Sequence, residues 1–98
     1  FRREGDDLYV TEQINAFEAL LGTTRHITNP YGKRIKLPIH AGTPPGAKLR
    51  LRGQGVQTGK RTGDLYVEVE VTIPDNLTEK QQQALRKVAE EAGLLKHR

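Results

Sequence analysis

The sequence predicts a mainly β domain, a small β-sandwich or flattened barrel that carries one short helix and a C-terminal helix. Strict alternation of apolar and polar residues from Gly63 to Ile73 is the first observation behind this prediction. Because strand side chains point to opposite faces in turn, this segment has one apolar and one polar face. Shorter alternating segments recur earlier in the chain, and together they supply the second layer that an apolar sheet face needs. A chain of 98 residues is long enough for one such core and too short for two.

The first predicted strand covers residues 6–14, and its apolar face carries Leu8, Val10 and Ile14. Its opening sequence Asp-Leu-Tyr-Val, which starts at residue 7, recurs at residue 64 at the start of the 63–73 segment. So short a repeat indicates, at the least, that both strands begin from similar turns.

A short helix is predicted at about residues 15–21. Asn15 suits the N-cap, and Glu18 follows at the spacing of a capping box. Gly22 then suits the end of the helix, where a positive φ is common. Two helical turns are not stable alone, so the helix is expected to dock on the sheet. The apolar side chains expected to make that contact are Phe17, Leu20 and Leu21.

Three further strands are predicted before the 63–73 segment. Residues 25–29 and 33–40 flank an Asn-Pro-Tyr-Gly turn, and residues 48–52 form the third strand. Proline has no N–H for a ladder, so Pro38 is expected to face an edge or a bulge. A glycine-rich, basic loop over residues 54–62 leads into the last strand.

The C-terminal helix is predicted to begin after Thr78, with Gln81 completing a capping box, and to end at Gly93. A narrow apolar stripe at helical spacing is expected to hold it against the sheet. The stripe consists of Leu85, Val88, Ala89 and Ala92. The predicted organisation is thus a β-sandwich subdomain over residues 1–76, with residues 77–98 as a C-terminal helix and tail of the same domain.

Charge is segregated along the chain, whose net charge is +4. No acidic residue occurs between Ala19 and Gly63, whereas nine lysines and arginines lie there. Such a stretch predicts a surface for an anionic partner. The candidate residues are Lys33, Arg34, Lys36, Lys48, Arg50 and Arg52.

Two interpretations of the basic residues remain open. The basic stretch over residues 25–61 could belong to a nucleic-acid-binding module, with DNA as a partner. The alternative, which the sequence favours, is that Arg50 and its neighbours form cross-strand ion pairs with Glu68 and Glu70. Aromatic platforms for stacking bases are not evident, since the three tyrosines are scattered along the sequence.

No motif in the sequence demands catalysis, a metal or a cofactor. The chain has no cysteine, and its three histidines fall on separate predicted elements. The glycines between Gly53 and Gly59 precede a strand, whereas a phosphate loop precedes a helix. We therefore expect a non-enzymatic protein without a cofactor. No apolar run approaches the roughly 20 residues of a membrane span, so no membrane association is expected.

Several segments, in collinear order, resemble the C-terminal region of DnaJ-type co-chaperones. They are Phe-Arg-Arg-Glu-Gly-Asp-Asp-Leu-Tyr at 1–9, Glu-Ala-Leu-Leu-Gly at 18–22, Gly-Ala-Lys-Leu-Arg-Leu-Arg-Gly-Gln-Gly at 46–55, Gly-Asp-Leu at 63–65 and Pro-Asp-Asn-Leu-Thr-Glu-Lys-Gln at 74–81. The match spans nearly the whole chain. One departure is Ile-His-Ala-Gly at 39–42, where the family more often has proline after the isoleucine.

The resemblance implies that this chain is the second of two β-sandwich subdomains that follow a J-domain. Stimulation of a DnaK-type, seventy-kilodalton heat-shock ATPase then belongs to a J-domain outside this sequence, and the best-known client groove belongs to the first subdomain. The functions expected here are secondary contact with unfolded protein clients, spacing and dimerisation. The expected location is the cytoplasm.

The last prediction from the sequence concerns assembly. Leu94 and Leu95 follow the helix-breaking Gly93, and no periodic pattern assigns them to the core. Since the resemblance implies that C-terminal segments of this family bring two chains together, these leucines are the predicted dimer or docking contact.

Overall fold

A four-stranded and a two-stranded sheet form the body of the protein in a computed structural model, which describes residues 1–95. The last residues of the predicted tail, 96–98, lie outside the described part. The larger sheet has the order β1-β2-β6-β5, and β3 pairs with β4 in the smaller one. The elements are β1 (Arg2–Glu4), β2 (Asp7–Asn15), α1 (Ala16–Leu21), β3 (Thr23–Thr28), β4 (Arg34–Ile39), β5 (Lys48–Leu51), β6 (Leu65–Thr72) and α2 (Glu79–Glu91). The predicted mainly β fold with a short and a C-terminal helix is confirmed.

The repeated Asp-Leu-Tyr-Val sequence marks the centre of the larger sheet. β2 and β6 are parallel neighbours, and their register pairs Leu8 with Leu65 and so continues along both strands. Because the two strands are parallel and in register, both begin at the same end of the sheet, and the matching residues of the repeat lie next to each other. The two starts are tied together, because the Asp64 N–H donates to Asp7 Oδ1 at 2.8 Å and the Leu8 N–H donates to Asp64 O at 2.9 Å. The repeat thus reflects direct pairing as well as similar turns.

The core lies between the two sheets. Leu65, Val67 and Val69 of β6 are fully buried, and they contribute to one cluster with residues from β2, α1, β3 and β4. The remaining buried apolar residues are Leu8, Ile14, Ala19, Ile27, Leu37 and Ile39. The prediction that Ile73 belongs to this face is wrong, because β6 ends at Thr72 and the Ile73 side chain is 76% exposed.

The predicted capping box of α1 is confirmed. Asn15 Oδ1 accepts the Glu18 N–H at 2.9 Å, and Glu18 Oε1 accepts the Asn15 N–H at 3.0 Å. The helix docks on the sheet as expected, but the prediction that Leu20 and Leu21 make the contact is wrong, since they are 62% and 78% exposed. Ala19 is the buried residue of α1, so the opposite face of this helix meets the sheet.

The turn between β3 and β4 is organised by Asn29, a buried polar residue. Its Oδ1 accepts the N–H groups of Tyr31 and Lys33, and its Nδ2 donates to Gln54 Oε1 at 3.1 Å. The turn predicted from Asn-Pro-Tyr-Gly is therefore present, and Asn29 also connects the smaller sheet to the glycine-rich loop. β4 has β3 as its one strand neighbour in the described chain, which agrees with the edge position expected of Pro38.

The capping box of α2 is also confirmed, with the Gln81 N–H donating to Thr78 Oγ1 at 3.2 Å and the Thr78 N–H donating to Gln81 Oε1 at 2.9 Å. The expectation that its apolar stripe is buried against the sheet is wrong. No residue of α2 is buried, and Val88 is 62% exposed. The molecule measures 61 × 22 × 18 Å, which fits a helix that projects from the sandwich.

Candidate functional site

The structure divides the six predicted basic residues between the two sheets. Arg34 and Lys36 lie on β4, with Lys33 just before it, whereas Lys48 and Arg50 lie on β5, with Arg52 just after it. All six are exposed. They therefore do not line one strand or one sheet, and the two groups have different electrostatic surroundings.

The β5 group lies beside acidic residues. β5 pairs with β6 as predicted, and the register puts Lys48 opposite Glu68 and Arg50 opposite Tyr66. The predicted pairing of Arg50 with Glu68 or Glu70 is wrong. The Arg50 guanidinium instead contacts Asp64 Oδ2, with Nη2 at 2.6 Å and Nε at 2.7 Å. The positive charge of Arg50 is thus already compensated within the chain.

Asp64 connects the start of β6 to the loop after β5. Its Oδ1 accepts the Gly53 N–H at 2.9 Å, while its Oδ2 receives Arg50. Both hydrogen bonds hold the pKa of Asp64 below its ordinary value. The bond from Gly53 has the larger effect, and the bond from Arg50 has the next largest. Asp64 is 16% exposed, so the pair is partly shielded from solvent. Asp64 is therefore a structural carboxylate.

We expect Asp64 to contribute to acid unfolding. Its pKa is depressed in the folded state, so its contribution is fully present above the unfolded aspartate pKa of about 3.9 and is lost as the pH falls through the folded value. Asp64→Asn should destabilise the protein at neutral pH and flatten the loss of stability below about pH 4. Urea unfolding midpoints, measured from neutral pH to below about pH 4, check this prediction. Asp75→Asn, at an exposed position, is the matched control. Identical acid profiles for Asp64→Asn and the parent would contradict the prediction.

The β4 group has no such compensation. Among residues 1–95, no ion pair involves Lys33, Arg34 or Lys36. Their strand lies in the acid-free stretch of the sequence, and its outward side chains alternate with inward Ile35, Leu37 and Ile39. This edge is therefore the part of the predicted anionic-partner surface whose charge is not neutralised by neighbours.

Two tyrosines that are distant in sequence form a stacked pair on the outer face of the larger sheet. The ring centroids of Tyr9 and Tyr66 are 5.1 Å apart, and the Arg2 guanidinium carbon lies 4.9 Å from the Tyr9 centroid. The expectation that the scattered tyrosines form no stacking platform is thus wrong for Tyr9 and Tyr66, which the register of β2 and β6 places opposite each other. Tyr31 remains separate, and its hydroxyl accepts the Gln57 N–H at 3.0 Å.

An apolar groove lies between α1 and α2. It has a volume of about 350 Å³ and is lined by Phe17, Leu77, Gln81, Ala84, Leu85 and Val88. The stripe of α2 thus faces Phe17, a residue that the sequence assigned to the sheet contact. The spacing of Leu85 and Val88 predicted that this helix has an apolar face, but it did not reveal what that face meets.

The two leucines predicted as a dimer contact lie just beyond α2. Gly93 has a φ of 72°, and the Leu94 N–H donates to Ala89 O at 2.8 Å, which closes the helix. Leu94 is 75% exposed and Leu95 is 38% exposed. Both leucines therefore remain outside the core and are available for contact.

Groups that could support other functions are few in the described chain. No cluster of three or more histidine, aspartate or glutamate side chains there could hold a metal ion. None of the described helices combines the length and apolar character needed to cross a bilayer. The candidate functional features of the described chain are therefore binding surfaces: an uncompensated basic edge, a tyrosine pair and an apolar groove.

Comparison with known proteins defines the class of this protein. A family model described as the DnaJ C terminal domain matches residues 1–74, which contain both sheets and α1. The chain belongs to this family, and the resemblance read from the sequence is confirmed.

The relatives of this chain are chaperones. It is 43% identical over 97 residues to "Chaperone protein DnaJ" of Bacillus velezensis, a match that covers 97% of this chain and 26% of that protein. It is 41% identical over 95 residues to the protein of the same name from Haloquadratum walsbyi, covering 95% of this chain and 24% of that protein. The chain thus spans about a quarter of the length of these relatives. Neither match supports the nucleic-acid alternative.

Proposed function

We propose that this chain is the non-enzymatic part of a cytoplasmic DnaJ-type co-chaperone that joins two copies of the protein and holds apolar segments of unfolded clients. A DnaK-type chaperone would be engaged through a J-domain elsewhere in the longer protein. The observation that carries the proposal is the uncovered apolar groove between Phe17 and α2. The family membership supports it, since the relatives are named as chaperones.

A second copy of this chain is the occupant that fits the α2 side of the groove. α2 has 13 residues, a length at which an isolated helix is only marginally stable in water. No residue of α2 is buried in the described chain, so the apolar stripe around Leu85 and Val88 lacks the cover that stabilises most helices. Two-fold pairing would let each stripe cover the other.

Leu94 and Leu95 extend the same contact. They follow the end of α2 and are exposed, so they add apolar area beyond the C-terminal end of its stripe. A secure interface buries at least about 1,000 Å², and one helix face with a short tail supplies little of that. The dimer formed by this chain alone is therefore expected to be weak and concentration-dependent.

In the proposed client-holding role, the apolar face of α1 contacts the client. Phe17, Leu20 and Leu21 share one face of this helix, because residues three and four apart are neighbours on a helix surface. Leu20 and Leu21 are exposed, and Phe17 is half-buried in the groove. An apolar strip thus runs from α1 into the groove, and contiguous exposed apolar surface of this kind marks interaction sites.

Leu85→Glu should abolish self-association. The substitution places a charge in the groove, where a second copy would have to bury it, whereas Gln83→Glu introduces the same charge change on the opposite face of α2. Sedimentation velocity over a concentration series should show association for the parent and for Gln83→Glu, and monomers for Leu85→Glu. A parent chain that stays monomeric into the high micromolar range would contradict the dimer proposal.

Client holding is tested separately by aggregation of a chemically denatured protein after dilution. The parent chain should slow the rise of light scattering, and Leu20→Glu should weaken this effect while leaving sedimentation unchanged. Equal scattering with and without the parent chain would overturn the client role and leave the result on self-association intact.

A further inference from the structure

We propose that the free edge of β4 binds an acidic, extended segment of another polypeptide, which adds as a third strand to the smaller sheet. The site goes beyond the proposed function, because neither the dimer contact nor the apolar strip uses β4. Three features carry the inference: unpaired backbone groups, an uncompensated row of cations and a proline that limits what can pair.

The register of β3 and β4 determines which backbone groups of β4 bond to β3 and which stay unpaired. The two strands are antiparallel, and Ile35 is opposite Ile27, Leu37 opposite Arg25 and Ile39 opposite Thr23. In the same register, the Asn29 N–H donates to Lys33 O at 2.9 Å, which marks that pair as hydrogen-bonded. Hydrogen-bonded and non-hydrogen-bonded pairs alternate along an antiparallel ladder. Ile35, Leu37 and Ile39 therefore bond to β3.

The intervening residues direct their backbone groups the other way. Arg34 and Lys36 point their N–H and C=O groups away from β3, towards the open edge of β4. Pro38 occupies the next outward position, where its missing N–H costs no ladder bond. β4 has no second strand neighbour among residues 1–95. The edge therefore offers two consecutive outward residues for pairing and ends at a proline.

The side chains of the same residues define the chemistry of the partner. Arg34 and Lys36 are exposed, lie on one face of β4 and form no ion pair in the described chain. His26, opposite Lys36, is also exposed on this face. Side chains of adjacent strands that lie opposite each other share a face and interact. A strand added to β4 would thus place its alternate residues beside these cations, where glutamate or aspartate is favoured.

Edge strands commonly carry lysine and proline because these residues prevent uncontrolled pairing. Here the same charges oppose pairing between two copies of β4, since like charges would lie opposite each other. They do not oppose an acidic strand. The partner is therefore a polypeptide in which acidic residues alternate with apolar ones, the apolar ones lying next to half-buried Ile35.

A polypeptide satisfies this edge better than a nucleic acid does. Strand addition supplies partners for the backbone N–H and C=O groups of Arg34 and Lys36, and main-chain bonds of this kind provide affinity in strand-addition complexes. A phosphate backbone would use the cations alone. The stacked tyrosines that could hold bases lie on the other sheet.

The test uses a capped peptide of alternating valine and glutamate, with alternating valine and lysine as the charge control. Arg34→Glu/Lys36→Glu should weaken binding of the glutamate peptide at least about tenfold. Arg86→Glu/Lys87→Glu changes the net charge by the same amount on α2 and should bind as the parent does. Equal losses in both double variants, or no binding by the parent at millimolar peptide, would overturn the proposal.

Amide hydrogen exchange distinguishes strand addition from general charge attraction. The glutamate peptide should slow exchange at Arg34 and Lys36, whose N–H groups face the open edge, and should leave Ile35 and Leu37 unchanged. Binding without protection at Arg34 and Lys36 would overturn strand addition. Tighter binding of duplex DNA than of the peptide, lost in Arg34→Glu/Lys36→Glu, would assign the edge to a nucleic acid. Unchanged sedimentation of that variant separates this result from the dimer proposal.

Discussion

Gly63→Ala is expected to destabilise the protein severely, by about 3 kcal/mol or more. A Cβ at this position would overlap the backbone carbonyl group of Asp6 and would lie 2.9 Å from the Asp6 Cβ. The contact is with main chain, which has no alternative rotamer. It is also anchored, because the Val56 N–H donates to Asp6 O at 2.9 Å and the Gly63 N–H donates to Val56 O at 3.0 Å. The added methyl group must therefore push apart the loop and the start of β2.

Gly59→Ala is the matched control for this effect. Gly59 belongs to the same glycine-rich loop, but no atom lies within 4 Å of a Cβ built there. The substitution should leave the free energy of unfolding unchanged within about 0.5 kcal/mol. Urea unfolding of both variants, followed by circular dichroism, measures the difference. Similar midpoints for the two variants would show that the loop yields at Gly63.

Ile14→Ala should also cost about 2 to 5 kcal/mol. Ile14 is 1% exposed at the end of β2, and it is among the largest fully buried side chains in the described chain. Its removal forfeits the transfer free energy of three carbons and leaves a cavity next to β6. For a domain of this size, each 1 kcal/mol lowers the melting temperature by about 4 to 8 °C, so thermal unfolding detects the change readily.

Ile73→Ala makes the identical chemical change where the side chain is 76% exposed. It should shift stability by no more than about 0.5 kcal/mol. The sequence alone assigns Ile73 to the same buried face as Val69, so the pair of variants tests the structure against the pattern. A loss at Ile73 comparable to that at Ile14 would mean that Ile73 is covered in solution, for example by a second copy.

The two surfaces proposed for binding are separable by design. Leu85→Glu acts in the groove between α1 and α2, whereas Arg34→Glu/Lys36→Glu acts on an edge of the smaller sheet. Neither set of residues belongs to the buried core. Loss of self-association in one variant and of peptide binding in the other would therefore show two independent contacts on one small domain.

Local patterns in the sequence determined the elements of this protein. The alternation in β6 and the capping boxes of both helices involve neighbours at most a few residues apart, and the structure retains all three. The collinear motifs determined the family, because their order along the chain is far more specific than any one of them.

The tertiary structure decided which surfaces meet. The sequence could not pair Asp-Leu-Tyr-Val at residue 7 with its copy at residue 64, because parallel pairing is fixed by the connection between the strands. Nor could it direct Arg50 to Asp64 and away from Glu68, since register sets that partner. An apolar stripe predicts that a helix buries one face, but it does not specify which residues cover that face. Only the structure shows that α2 faces Phe17 across a groove instead of lying on the sheet.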